Sequence, residues 1–151
     1  MSGLQLRRRI LGIDLGRARI GVAVSDELGM LAHPVETIPA NTDAALRIAE
    51  IVREKDAEKV IVGLPRHMNG SVGVGATEAL AFAKKLQALL PCEVVTWDER
   101  LTTTAANRAL RESGRKTRDS KGVVDQVAAQ MILQGYLDSL PATGIPDPMQ
   151  S

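Results

Sequence analysis

The chain is short of three things that would have made it easy to classify. It has a single cysteine, Cys92, so no intrachain disulfide can form and no cysteine-based metal cluster is available. Phe82, Trp97 and Tyr136 are its only aromatic residues, so the core has to be built from Val, Ile, Leu and Ala. The same scarcity argues against a stacking platform that reads unpaired bases. It also has no run of the ~18 apolar residues that a membrane-spanning helix needs. Arg7-Arg8-Arg9 precede a short strand-like run rather than the apolar stretch and cleavage site of a secretory leader, so the chain reads as cytosolic, with no membrane partner.

What is present is ordinary in bulk and informative in its arrangement. The 151 residues suit one domain, and 44% hydrophobic with 25% charged residues is the balance of a globular protein. Formal net charge is +1, which by itself announces no polyanion partner. The basic residues are nevertheless clustered, at Arg7 to Arg9 and again from Arg111 to Lys121, and a local basic surface can bind phosphates at near-zero total charge.

Hydrophobic periodicity gives the order of elements. Arg9 to Leu15 and Arg19 to Ser25 read as two strands joined by a hairpin-sized turn, hence antiparallel. Met30 to Ile38 reads as a third strand, irregular or at an edge because of Pro34. Asp43 can cap a helix in which Leu46, Ile48, Ile51 and Val52 recur up to about Lys55. Lys59 to Gly63 is a strand and Thr77 to Leu90 a helix stopped at Pro91. Glu93 to Trp97 is a strand, and Thr102 to Glu112 a helix. The last helix runs from Gly122 to Leu140, with Val124, Val127, Ala128, Met131, Ile132 and Gly135 expected on its buried face. Residues 1–140 are thus expected to form one domain, with 141–151, which hold Pro141, Pro146 and Pro148, a flexible tail. An antiparallel opening meander followed by alternating strands and helices predicts an α/β fold: a five-stranded mixed sheet, β1-β2-β3 antiparallel and then β4 and β5, with helices on both faces. This is the element order of the ribonuclease H-like fold.

Several acids stand where chemistry can happen. Asp14 sits in an apolar strand between Ile13 and Leu15, a costly place for a carboxylate unless it is paired or binds a cation. Asp98 and Glu99 close the strand from Glu93, and ligands gather at the carboxyl ends of strands in parallel regions. Alternation allows only one of those two to face Asp14. Asp125 opens the last helix beside its apolar stripe. Each acid alone has a plain structural explanation: a turn cap, a solvated strand end, a favourable interaction with a helix dipole. Together, with no His/Cys cluster nearby, they form a set of hard oxygen donors that selects Mg²⁺ or Mn²⁺ over zinc. Such a set suits phosphodiester hydrolysis, where two ions ~3.5–4 Å apart serve the attacking and leaving oxygens.

Other segments point to a phosphate-bearing partner. Gly12 and Gly16 flank Asp14 and could let a phosphate approach the backbone. The loop from Leu64 to Ser71, with its Asn69-Gly70 turn, leaves another strand's carboxyl end and offers backbone N–H groups. The Gly114 to Gly122 loop carries Arg115, Lys116, Arg118 and Lys121 and could track a nucleic-acid backbone. His33, beside Pro34, reads as structural, and His67 as at most a phosphate contact.

The motifs resemble one family. Gly12-Ile-Asp-Leu-Gly-Arg-Ala-Arg-Ile-Gly-Val-Ala-Val-Ser-Asp26 is similar to the opening signature of the YqgF family, also called RuvX. Val62-Gly-Leu-Pro65 with Asn69-Gly70, Asp98-Glu-Arg-Leu-Thr-Thr103, and Val124-Asp-Gln-Val-Ala-Ala129 with Ile132-Leu-Gln134 resemble its later motifs, in the family's order. The resemblance implies a ribonuclease H-like nuclease whose acidic triad is Asp14, Glu99 and Asp125, with Arg17 and Arg100 on the substrate side. It implies one of two roles: processing the 5′ end of the small-subunit ribosomal RNA precursor, which is favoured, or cleaving Holliday junctions. A junction resolvase acts on two strands and needs a pair of subunits, so the expected state is a monomer or a weak homodimer. Two rivals remain. One is a non-catalytic nucleic-acid-binding protein. The other is an ATP-binding protein of the actin-like or sugar-kinase type, whose first phosphate loop Gly12-Ile-Asp-Leu-Gly16 also resembles; one copy of this length supplies only half of that cleft.

Overall fold

A computed structural model describes residues 9–65, 73–99 and 121–140, with the backbone alone for 121–125. The chain forms β1 (Arg9–Leu15), β2 (Arg19–Ser25), β3 (Ala32–Pro39), α1 (Ala44–Lys55), β4 (Ala57–Leu64), α2 (Val74–Leu89), β5 (Glu93–Asp98) and α3 (Lys121–Ser139). The five strands make one sheet in the order β3-β2-β1-β4-β5. The expected helix from Thr102 to Glu112 lies outside the described residues, as do Asn69, Gly70, Arg100, Arg115, Lys116 and Arg118.

The topology follows from connection lengths. Three residues join β1 to β2, and the Gly16 N–H donates to the Arg19 carbonyl at 2.9 Å, so the strands fold back antiparallel. The β2–β3 connection is also short and gives a second antiparallel pair. Helix α1 then carries the chain over the sheet, so that β4 returns parallel to β1, and α2 does the same for β5 against β4. Pro34 has no N–H to give a ladder, and it sits where β3 is an edge strand and its register against β2 shifts, between Val22 and Ala23.

Two cores result. One lies between the sheet and α1 and α2, built on Leu11, Ile13, Ile48, Ile51, Val60, Val62 and Leu86. The other lies under α3 and joins Ile10, Ala23, Ala32 and Ile61 to Ala129, Ile132, Leu133 and Leu137. Helices therefore cover both faces, as expected.

Three local expectations need correction. Asp43 occupies the N-cap of α1 but makes no side-chain cap bond. The Asn41 side chain does the local bonding instead, its Oδ1 accepting from the Asp43 N–H at 3.0 Å. Leu46 is exposed, while the small Ala44, Ala45 and Ala49 are buried, because α1 packs close to the sheet through its alanines. In α3 the buried stripe is Ala129, Ile132, Leu133 and Leu137; Val127, Ala128, Met131 and Gly135 are only half-buried.

Candidate active site at the carboxyl ends of β1 and β5

Sheet register brings the first two acids together. Asp14 lies opposite Gly21 of β2. On its other side, Ile13 pairs with Val62 of β4, so the next residue, Asp14, comes level with Gly63. Neighbouring strands run about 5 Å apart. Trp97 of β5 pairs with Gly63, and Asp98 with Leu64. Leu64 belongs to the core under α1 and α2, whereas Trp97 packs into the core under α3. Alternation thus gives the Asp98 position to the α1/α2 face and the Glu99 position to the α3 face.

Gly63 records the consequence. A Cβ placed on it would stand 3.0 Å from Glu99 Oε2 and 2.6 Å from Ile132 Cδ1 of α3. The Glu99 carboxylate therefore lies back over β4, above the residue level with Asp14. Asp14 and Glu99 are both half-buried, on the same face of the sheet.

Helix α3 approaches the same region. A Cβ on Gly12 would meet Leu133 Cβ at 2.6 Å and the Ala129 carbonyl oxygen at 3.1 Å. Gly12 is two residues before Asp14 and on the same face, so the helix lies almost on the β1 backbone at that point. Residue 125 is one turn before Ala129, on the stripe that faces the sheet, toward the Asp14 end of β1. The side chain of Asp125 lies outside the described residues, as does that of Lys121. Among the described residues, no group of three or more His, Cys, Asp or Glu is placed to hold a metal ion.

The two glycines flanking Asp14 have a structural use. The place of a Gly12 side chain is taken by α3, and that of Gly16 by the Arg19 carbonyl oxygen, 2.5 Å from where a Cβ would sit. Both are required by the protein's own packing. Arg17, in the turn just beyond Asp14, is exposed. His33 is exposed on β3, away from the acids. Cys92 packs against the first core half-buried, and burial pushes its thiol pKa up.

Sequence reasoning missed Gly63. Gly63 could have been found as a glycine ending an otherwise β-branched strand, a common mark of close approach.

The RuvX family, described as Holliday junction resolvase, matches residues 8–139. The chain belongs to the RuvX family. A RuvX relative from Nocardia farcinica, named "Putative pre-16S rRNA nuclease", is 52% identical over 146 residues, covering 90% of this chain and 81% of the relative. Relatives of the same name from Acetivibrio thermocellus and Bacillus cytotoxicus are 50% and 44% identical, each over 87% of this chain and over 96% and 98% of their own lengths. Both descriptions name nucleases, which places this RuvX chain among hydrolases of phosphodiester bonds. The fold is also that of Thermus thermophilus RuvC solved with a Holliday junction substrate, at a TM-score of 0.55 and 15% identity over 91% of this chain and 99% of that one. The fowlpox virus resolvase solved with Holliday junction DNA gives a TM-score of 0.50 at 10% identity over 87% of this chain and 97% of that one. The ribonuclease H-like architecture expected from the element order is thus the architecture found.

Proposed function

We propose that this RuvX chain is a metal-dependent nuclease that trims the 5′ end of precursor 16S ribosomal RNA in the cytosol, with Asp14, Glu99 and Asp125 as its catalytic, metal-holding acids. One observation carries the reading: Glu99 Oε2 lies over Gly63, beside Asp14, on the face that α3 closes. The donor set fits a hard divalent cation, Mg²⁺ or Mn²⁺, because ionised carboxylates present only oxygen acceptors and the described part of the site has no thiolate or imidazole. Such an ion supplies Lewis-acid polarisation of the phosphodiester and charge stabilisation on the leaving oxygen. The chain's own part is to hold the acids at fixed spacing and to orient the backbone being cut. Asp14 and Glu99 do so from strand ends, and Asp125 from the first turn of α3.

Arg17 and Arg100 take the substrate side, Asn69 and Gly70 offer turn N–H groups, and Arg115, Lys116, Arg118 and Lys121 track the backbone beyond the cut. The names of the Nocardia, Acetivibrio and Bacillus relatives favour the ribosomal precursor. The family description favours the alternative, Holliday junction cleavage, which a weak homodimer would serve and a monomer would not. Residues 1–140 form the catalytic domain in this reading, and 141–151 a tail.

The deciding assay sets a precursor 16S leader RNA beside a four-way DNA junction, with Mn²⁺ or Mg²⁺. The expected result is metal-dependent cleavage of the RNA, abolished in Asp14→Asn and Asp125→Asn. Junction cleavage without RNA cleavage would transfer the assignment to the alternative. Undiminished cutting by both variants would remove these acids from the mechanism.

A further inference from the structure

Gln126, Gln130 and Gln134 recur every four residues along α3, a spacing that lines them up on one side of the helix. All three amides bond to β3 or the turn before it. Gln126 Nε2 donates to Thr37 Oγ1 at 3.1 Å. Gln130 Nε2 donates to the Ala32 carbonyl at 2.9 Å. Gln134 Oε1 accepts from the Ala32 N–H at 2.9 Å, while its Nε2 donates to the Met30 carbonyl at 2.8 Å. The lower two glutamines bond to main chain at the start of β3. Gln134 Nε2 also donates to Asp138 Oδ1 within α3 at 3.0 Å, but of the three only Gln126, the residue after Asp125, bonds a side chain of β3.

The partner's place in the sheet is what matters. Thr37 pairs with Gly21, and Gly21 pairs with Asp14. Thr37, Gly21 and Asp14 form one transverse row across three strands, which continues on the far side of Asp14 to Gly63, under the Glu99 carboxylate. The Gln126–Thr37 bond therefore ties the start of α3 to the sheet level of the acids. Gly12 fixes how closely α3 approaches β1. It does not fix the angle of the first turn, which lies beyond the contact, and a bond at the edge strand can.

We propose that Thr37 and Gln126 are a positioning pair that sets the first turn of α3, and with it Asp125, against Asp14. The inference rests on the proposed acidic site, and neither residue touches substrate or metal in it. A net hydrogen bond contributes ~0.5–1.5 kcal/mol, which in a binding equilibrium is about a two- to tenfold change.

The test uses the full chain with Thr37→Val, Thr37→Ser, Gln126→Met and the Thr37→Val/Gln126→Met double variant. Three readouts are taken: Mn²⁺ concentration for half-maximal cleavage of a precursor 16S leader RNA, amide hydrogen exchange, and Tm. Thr37→Val and Gln126→Met are each expected to raise the half-activating Mn²⁺ concentration about two- to tenfold. Exchange should rise in residues 121–126 and not in the rest of α3. The double variant should resemble either single one, and Thr37→Ser should keep the parent's behaviour. Unchanged exchange at 121–126 would overturn the proposal. So would an unchanged Mn²⁺ response in a preparation where Asp125→Asn is inactive, or losses that follow Tm alone and appear equally in Thr37→Ser. Full cleavage by Asp125→Asn would instead sink the site assignment itself, and the exchange data would still report whether the pair holds the helix end.

Discussion

Adding one methyl group at Gly63 should separate stability from activity. In Gly63→Ala the new Cβ falls 2.6 Å from Ile132 Cδ1, 3.3 Å from Ile132 Cγ1 and 3.0 Å from Glu99 Oε2. Ordinary contacts begin near ~3.5 Å, so both neighbours must yield. Ile132 is buried in the core under α3 but is approached at its flexible end. Overpacking of this kind costs ~1–3 kcal/mol, and the movable Cδ1 favours the lower half. At ~2–4 °C per kcal/mol for a chain of this size, Tm should fall by about 2–8 °C. Glu99 Oε2 has to retreat by about half an ångström, where ~1 Å of misplacement can cost ~10²-fold, so cleavage should fall about tenfold. The two effects have different remedies. Ile132→Val removes Cδ1, so Gly63→Ala/Ile132→Val should recover most of the lost Tm relative to Ile132→Val alone. It leaves the Glu99 contact in place, so cleavage of a precursor 16S leader should stay low. Thermal melts and initial rates on the four proteins decide the matter. Recovery of cleavage together with Tm would refute the claim that Gly63 makes room for the Glu99 carboxylate.

Three further outcomes follow from features away from that contact. Ser25 is buried, and its Oγ accepts the Ile10 N–H at 2.8 Å, so Ser25→Ala strands a buried donor and should cost ~1–3 kcal/mol in denaturant melts, with cleavage per folded molecule unchanged. The Arg47 guanidinium bonds both oxygens of Glu36, at 2.6 and 2.9 Å, and holds that carboxyl below its usual pKa. A lowered carboxylate pKa stabilises the fold above pH ~4.5, the unfolded value, and that contribution disappears as pH falls through the folded one, so Glu36→Gln should flatten stability against pH in the acid range and leave neutral-pH slopes alone. Replacing Arg115, Lys116 and Arg118 with Ala should weaken RNA binding and reduce its dependence on salt by about one unit of slope per lost phosphate contact; an unchanged slope would take that loop off the backbone path.

Strand positions were legible because buried strands write themselves as apolar runs, and the β1–β2 turn was legible because three residues allow little but a hairpin. Pro34 also told correctly that β3 lies at an edge. The cap of α1 was not legible: Asp43 and Asn41 are both capable side chains, and only the local backbone decides which bonds. The face of α3 was misjudged for a related reason. Val127, Ala128 and Met131 are as apolar as Ala129, Ile132 and Leu133, so composition does not choose between the stripes. The choice is made by Gly12 and Gly63, whose missing side chains admit one particular turn of the helix. Strand alternation alone left Asp98 and Glu99 undistinguished, for want of a register, and only the family resemblance preferred Glu99. The pairing of Asp98 with Leu64 supplies it, since Leu64 is committed to the opposite core.

Helix α3 carries a consequence for how the protein is made. A ribosome releases all five strands before residues 121–139 emerge, yet Ala129, Ile132, Leu133 and Leu137 are half of the core on that face of the sheet. Until they arrive, Ile10, Ala23, Ala32 and Ile61 lack, among the described residues, the helix that covers them. A nascent chain interrupted before α3 thus lacks that half of the core, and in the proposed reading it also lacks Asp125. In the proposed reading, a nuclease made on ribosomes and directed at their RNA gains its cutting site only as its last helix docks, when translation of that helix is already over.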